Sequence, residues 1–396
     1  MLSTYPIAGA DTGGPLRVKA IYEMYKKHVR HVKHVAIFSG HHHPTGYAAS
    51  DIMLEGKLAD ALEHAHNHGD YLIGKGIYED DALRQRVLDL LLSYRPDIIE
   101  IEQVFPYIGL RHLLKELPFA PKLVHSSHNI EYPMKDEILA MTHFPIAERK
   151  AIVATVREAE EELTKKADLV VVVTKADGER SLAMGAKKYS VARNGVFAIS
   201  ASETAKQYWQ HYFEKHEIDR AAIFIGSAHP PNIFGFKQMI GYGMGFLPAQ
   251  HKIILAGDVG TNLMSNLDEE DVAAQTAHRR LLSVGRLPQD LLNGLIVAAH
   301  TILLPITEGG GSNLKTAEAI VAGKHIVATT KALRSFEEYQ SLPNMNVHDA
   351  PNDFRAAIAA SLDLPAISLP TKTAEETQKV LWGHCLTPML EGVKAL

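Results

Sequence analysis

The chain reads as an α/β protein of two doubly wound, Rossmann-like domains facing each other across a cleft. Three observations predict this. Apolar runs of strand length alternate with segments of helical periodicity through both halves of the sequence. Glycine-rich loops follow two of those runs, one near the start (Gly9, Gly13, Gly14) and one late (Gly309, Gly310, Gly311). The length, 396 residues, exceeds what one core usually covers, so two domains of roughly 150 to 200 residues each are expected.

Taken in order, residues 1–14 (MLSTYPIAGADTGG) read as the end of a strand and a glycine loop, with a helix over 15–27. Only three residues precede the loop as strand, so either the first strand is unusually short or the start of the domain is missing. Residues 34–39 (HVAIFS) form the next buried strand. A helix spans 81–94, broken by Arg95-Pro96-Asp97 before a strand over 98–101; a short helix near 109–117 and a strand over 122–125 follow. That strand delivers His128 into a loop at its C-terminal end, where α/β sheets keep their functional groups and where an imidazole can donate a hydrogen bond to a ligand. A charged helix over 147–167 leads into a strand over 168–173, then a helix ending at Gly185. Asn194-Gly195 is turn chemistry and marks the domain boundary, giving domains over 1–193 and 194–380 and a terminal helix over 381–396. In the second domain the strands are 221–225, 252–256, 280–284, 301–304 and 325–329; beyond Thr330 the pattern weakens to a helix over 354–362 and one bearing Trp382.

The stretch 303–330 (LLPITEGGGSNLKTAEAIVAGKHIVATT) organises the rest. A strand stops at Pro305, three glycines follow, and Ser312 and Asn313 offer N-cap side chains for a helix carrying Leu314, Ala317, Ile320 and Val321 at helical spacing and ending at Gly323. A strand, glycine loop and helix N-terminus place backbone N–H groups and about half a positive charge at one sheet edge, where an anion belongs. Lys315 in the first turn can reach a phosphate, and Glu318, three residues on, can accept hydrogen bonds from a ribose. A phosphate-facing cation beside a sugar-facing acid implies a nucleotide. The bland alternative is a tight loop with solvated Lys and Glu.

Composition excludes several classes. The formal charge of −5 argues against a nucleic-acid surface. The single cysteine, Cys385, rules out an internal disulfide framework and fits a reducing cytoplasm. No apolar run approaches the roughly 20 residues needed to span a bilayer, so a cytoplasmic protein, at most peripheral on the membrane's inner face, is expected. The basic run from Lys26 to His34 (KKHVRHVKH) could rest on anionic lipid, although such runs are more often solvated helix ends. His64 and His68 have a spacing that suits zinc, but with no cysteine nearby and no HExxH arrangement they read as surface or loop histidines, and no metal is expected.

The order of these signals resembles the GT-B glycosyltransferases of the large retaining family that uses nucleotide sugars, family four. The likeness spreads over nearly the whole chain. Gly13-Gly14 looks like that family's N-terminal loop under the donor diphosphate, and His128-Asn129 is similar to the loop whose imidazole faces the transferred sugar. ADLVVVVTKADGERSLAMGAKKYSVARNGV resembles a segment ending in Pro-Asn-Gly-Val, with Arg193 in place of the proline. GSAHPPNIFG is similar to the first donor-domain loop of one subgroup, and LLPITEGGGSNLKTAEAIVAGKHIVAT matches best. The Trp382 helix looks like the one that crosses back to the N-terminal domain.

The resemblance implies a retaining transferase moving a sugar from a UDP- or GDP-type donor to a glycan, lipid-linked or other hydroxyl acceptor, with no cofactor. It implies donor contacts at Gly13, Gly14, Ser227, Asn232, Gly309, Gly310, Gly311, Ser312, Asn313, Leu314, Lys315 and Glu318, and catalytic roles for His128 and Glu308. Two positions depart from the family. Glu308 lies ten residues before Glu318 where eight is usual, and Ser227 and Asn232 occupy the stretch that often holds an Arg and a Lys. Lys315 and the amides at Gly311 to Asn313 are then expected to carry more of the diphosphate charge. A GT-B epimerase or phosphorylase and an inactive GT-B-like binding subunit are the alternatives.

Overall fold

The computed structural model describes residues 1–10, 13–65, 67–141, 144–265, 267, 272–308 and 313–396. The chain divides into two compact units, the first made of Met1–Asn194 with Cys385–Leu396 and the second of Gly195–His384.

The first unit carries β1 (Leu2–Ser3), β2 (Val35–Phe38), β3 (Ile52–Met53), β4 (Ile98–Glu102), β5 (Lys122–Ser126), β6 (Leu169–Val172) and β7 (Tyr189–Val191). They form one parallel sheet in the order β3-β2-β1-β4-β5-β6-β7. Every residue of β2 and β6 is buried, as expected of strands covered on both faces. The helix Asp81–Tyr94 starts where Asp80 accepts from Leu83 N–H and stops at Arg95, whose φ of 46° is left-handed; it buries Leu83, Val87 and Leu91 in the same core as Ile99 and Ile101. The terminal helix Thr387–Lys394 packs on β6 and β7.

The second unit carries β8 (Arg220–Ile225), β9 (His251–Ala256), β10 (Leu281–Gly285), β11 (Thr301–Leu304), β12 (His325–Ala328) and β13 (Met345–Val347), all parallel, in the order β10-β9-β8-β11-β12-β13. Period-two alternation splits its interior. Ile223, Ile254, Ile302 and Ile326 face one layer with Leu295, while Phe224, Leu255, Leu303 and Val327 face the other with Phe236 and Phe354.

Both sheets reverse direction of growth once, between β1 and β4 and between β8 and β11. In doubly wound sheets the ligand crevice lies outside the carboxyl ends of the strands at that reversal.

Several expectations are corrected. The first helix begins at Gly13, not Pro15, and spans Gly13–His28. Between Gly195 and β8, where the sequence reading places no element, Glu203–Lys215 is a helix capped by Ser202, and Trp209 is buried with Nε1 donating to Leu291 O at 2.7 Å. Only Ala205 and Trp209 of that helix are buried. Beyond Thr330 the sheet still gains β13. The basic run is not one solvated stretch either, because Lys26, Lys27 and His28 end the first helix while His34 is buried, its Nε2 at 2.9 Å from Ser3 Oγ. Burial pushes the His34 pKa down to about 3. Among the described residues no helix is long and apolar enough to cross a membrane.

Candidate functional site

In the second unit the β8/β11 reversal gathers Ser227, Asn232, Lys315 and Glu318. β8 ends at Ile225 and gives way to Gly226-Ser227, and the helix Pro230–Met239 follows at once. Prolines at 230 and 231 remove the first two amide donors of that helix, and Asn232 N–H is spent on His229 O at 2.9 Å. This helix end therefore offers an anion little from its backbone. The side chains compensate. Asn232 Nδ2 donates to Ser227 O at 2.9 Å, which fixes its amide so that Oδ1 accepts from Lys315 Nζ at 2.5 Å. The ammonium also lies 5.8 Å from the centroid of the Phe224 ring. Gly226 leaves this corner open: a Cβ there would stand 3.4 Å from Lys315 Nζ.

Two glycines set the corner's walls. A Cβ at Gly235 would lie 1.9 Å from Pro305 O, so the helix Pro230–Met239 rests directly on the backbone leaving β11. Gly257, at φ +90°, would place a Cβ 2.3 Å from Gly226 O, so the β8 and β9 exits touch through backbone alone. Thr329 Oγ1 donates to Ile306 O and Thr316 Oγ1 to Ala332 O, tying the β11 exit and the helix Leu314–Ala322 to the segment after β12.

Burial dominates the electrostatics. The Lys315 ammonium loses hydration, and its pKa falls from 10.5 to about 8, partly opposed by Glu318. Glu318 rises from 4.5 to about 7 for the same reason, partly opposed by Lys315. A half-buried lysine whose carboxylate neighbour Glu318 is itself drawn toward neutrality is primed for an anionic ligand.

Gly309, Gly310, Gly311 and Ser312 lie outside the described residues. Glu308 is exposed at the end of the β11 exit. Asn313 occupies the N-cap position, but its side chain does not cap the helix; Nδ2 donates instead to Ala332 O at 3.3 Å. Leu314 is half-buried against the core.

In the first unit the β1/β4 reversal brings Gly14 and His128 together. Gly13, at φ +55°, and Gly14 open the helix Gly13–His28, and a Cβ at Gly14 would lie 3.5 Å from His128 Nδ1 and 3.0 Å from Tyr5 Oη. His128 is buried, with Nε2 at 3.0 Å from Glu102 Oε2. Burial, and then the nearby Arg17, lower its pKa to about 3.

Sequence reasoning missed Glu102, Arg17, Tyr5 and Glu131. Glu131 is fully buried, accepts from Gln103 Nε2 at 3.1 Å, and is raised to about 8 by burial and then by Glu160. Gln103 itself holds a left-handed φ of 59° directly after β4, a strain that sites often store. The signal was present: β4 reads IIEIE, and two acids inside a strand buried on both faces are costly unless partners meet them there.

No known family's sequence profile matches the chain, and no curated protein matches its sequence. Solved structures do resemble it. Anabaena HepE, crystallised in complex with UDP, is 14% identical with a TM-score of 0.60 over 100% of this chain and 99% of its own. The sucrose-phosphate synthase of Thermosynechococcus elongatus is 14% identical with a TM-score of 0.62 over 100% and 98%. The chain has the GT-B fold. A candidate UDP-N-acetylglucosamine 2-epimerase from Listeria monocytogenes shares it more loosely, at 12% identity and a TM-score of 0.51 over 100% and 95%. The GT-B chain thus carries a polar cluster at the sheet reversal of each Rossmann-like unit.

Proposed function

We propose that this GT-B chain is a retaining glycosyltransferase that moves a sugar from a nucleoside diphosphate to a hydroxyl acceptor, glycan or lipid-linked. The observation that carries the reading is the Lys315–Asn232–Ser227 corner with Glu318 one helical turn on. Lys315 meets the diphosphate and Glu318 accepts from the ribose hydroxyls. The UDP bound by HepE is of the same chemical class. Positive charge at the diphosphate stabilises the leaving group as the anomeric C–O bond breaks. The acceptor oxygen bonds the anomeric carbon on the same face, and its proton passes to the departing phosphate oxygen. This route needs no covalent nucleophile and, with Lys315 supplying positive charge, no metal.

Calorimetric titration with UDP and with GDP, in the presence of EDTA, tests the reading. Binding of one of them is expected, and Lys315→Ala is expected to weaken it at least tenfold. No binding of either at millimolar concentration would leave an inactive GT-B-like subunit as the better account, a reading that the missing Arg and Lys keep in play. The looser likeness to an epimerase gives a second enzymatic reading. Incubating donor without acceptor separates them, since an epimerase changes the donor's sugar with no acceptor present.

A further inference from the structure

The first unit buries a run of polar side chains, Tyr25, Glu100, Glu102 and His128, of which the sequence reading gives a role only to the last. Glu100 and Glu102 are two residues apart in β4, so both project from the same face of the sheet. Tyr25 Oη donates to Glu100 Oε2 at 2.6 Å, and Glu102 Oε2 meets His128 Nε2 at 3.0 Å. The Oε1 atoms of both acids are buried with no donor among the described residues. Two such neighbours do not both stay ionised, and one proton held between them serves both oxygens. Burial and then the Glu102 charge push Glu100 well above the usual carboxylate range, which favours the proton on that side of the pair. Glu102 is raised by burial as well, but hydrogen bonding with Glu100 and Ser126, and then the Arg17 guanidinium, oppose the rise and favour its anion. Arg17 is itself buried, with Nε and Nη2 unpartnered among the described residues.

A neutral imidazole carries one N–H. With a carboxylate at Nε2, that proton is spent inside the protein, and Nδ1, which has no partner among the described residues, keeps its lone pair beside Gly14. We propose that Glu102 is a positioning residue that holds His128 as the Nε2–H tautomer, so that Nδ1 meets the ligand at the Gly14 loop as an acceptor and selects a hydroxyl there. This reverses the donor role that the sequence suggests for His128. The ligand half rests on the glycosyltransferase reading; the tautomer half does not.

The test is the imidazole nitrogen–proton correlation spectrum of the full chain labelled with 15N-histidine, His128 being assigned by the signals lost in His128→Gln. The expected spectrum has a downfield, slowly exchanging proton on Nε2 and none on Nδ1. In Glu102→Gln that proton is expected to move upfield or to transfer to Nδ1, and in Glu102→Asp to stay downfield. A proton on Nδ1 in the unsubstituted chain, or an unchanged spectrum in folded Glu102→Gln, overturns the positioning. Should Glu102→Gln fail to fold, the unsubstituted spectrum still decides, because it reads the tautomer without that variant. Adding UDP-glucose is expected to shift Nδ1, whereas UDP alone is not. The Nε2–H tautomer with no response to UDP-glucose, in a chain that binds UDP, supports the positioning and overturns the ligand half. Absence of binding of both UDP and GDP instead counts against the glycosyltransferase reading and leaves the tautomer result standing.

Discussion

Lys315 and Glu318 have pKa values drawn toward each other, to about 8 and about 7, and this makes nucleotide binding a proton-linked event. The sign follows from which form the ligand needs. A diphosphate needs the ammonium, so UDP affinity is expected to fall as pH rises through about 8, with proton uptake on binding above that pH. Ribose hydroxyls need the carboxylate, so affinity is expected to fall as pH drops below about 7. Calorimetry from pH 6 to 9 in buffers of different ionisation enthalpy checks both, and a flat profile would remove the pair from the site. Stability without ligand runs differently. The unfolded chain keeps the lysine proton between about 8 and 10.5 when the folded one has lost it, so this group alone makes stability rise with pH across that window. Glu318 makes it fall between 4.5 and about 7. Lys315 and Glu318 were readable as candidates because residue type and helical spacing are local facts. The half-burial that moves their pKa values was not, since it depends on β8 and on Asn232, 83 residues away.

At the scale of elements, the site depends on how closely the helix Pro230–Met239 sits on the β11 exit. Gly235→Val would force side-chain atoms into Pro305 O, and the helix would have to lift. Overpacking of this kind costs about 1–3 kcal/mol or more. Because Asn232 rides on that helix, UDP affinity is expected to fall together with the melting temperature. Full affinity in a folded Gly235→Val chain would show that the Asn232–Lys315 bond is dispensable. The strand–loop–helix order around 301–322 was legible, because an apolar run, a glycine cluster and helical spacing each announce themselves. What Asn313 does was not: its residue type suits capping, yet its amide reaches Ala332 O, a partner brought close only by the segment after β12. The helix Glu203–Lys215 escaped because most of its residues are polar and few are buried.

At the scale of the whole molecule, each unit has hydrophobic clusters of its own, Ile99 and Leu91 belonging to one and Ile254 and Ile326 to another. A ligand held only by the second unit should therefore stabilise that unit first. UDP at 100 times its dissociation constant contributes about 2.7 kcal/mol, and hydrogen exchange is expected to slow in 195–384. Protection confined to the first unit would place the nucleotide elsewhere. The sequence by itself determined the alternation of strands and helices, the parallel and doubly wound class, and the residue types at the strand ends, because periodicity and turn chemistry act over a few residues. Only the tertiary structure decided that Gly14 lies against His128, that Glu102 stands behind it, and that Asn232 holds Lys315. Those contacts join residues tens of positions apart, and strand order and burial create them; no local pattern encodes which groups lose their water.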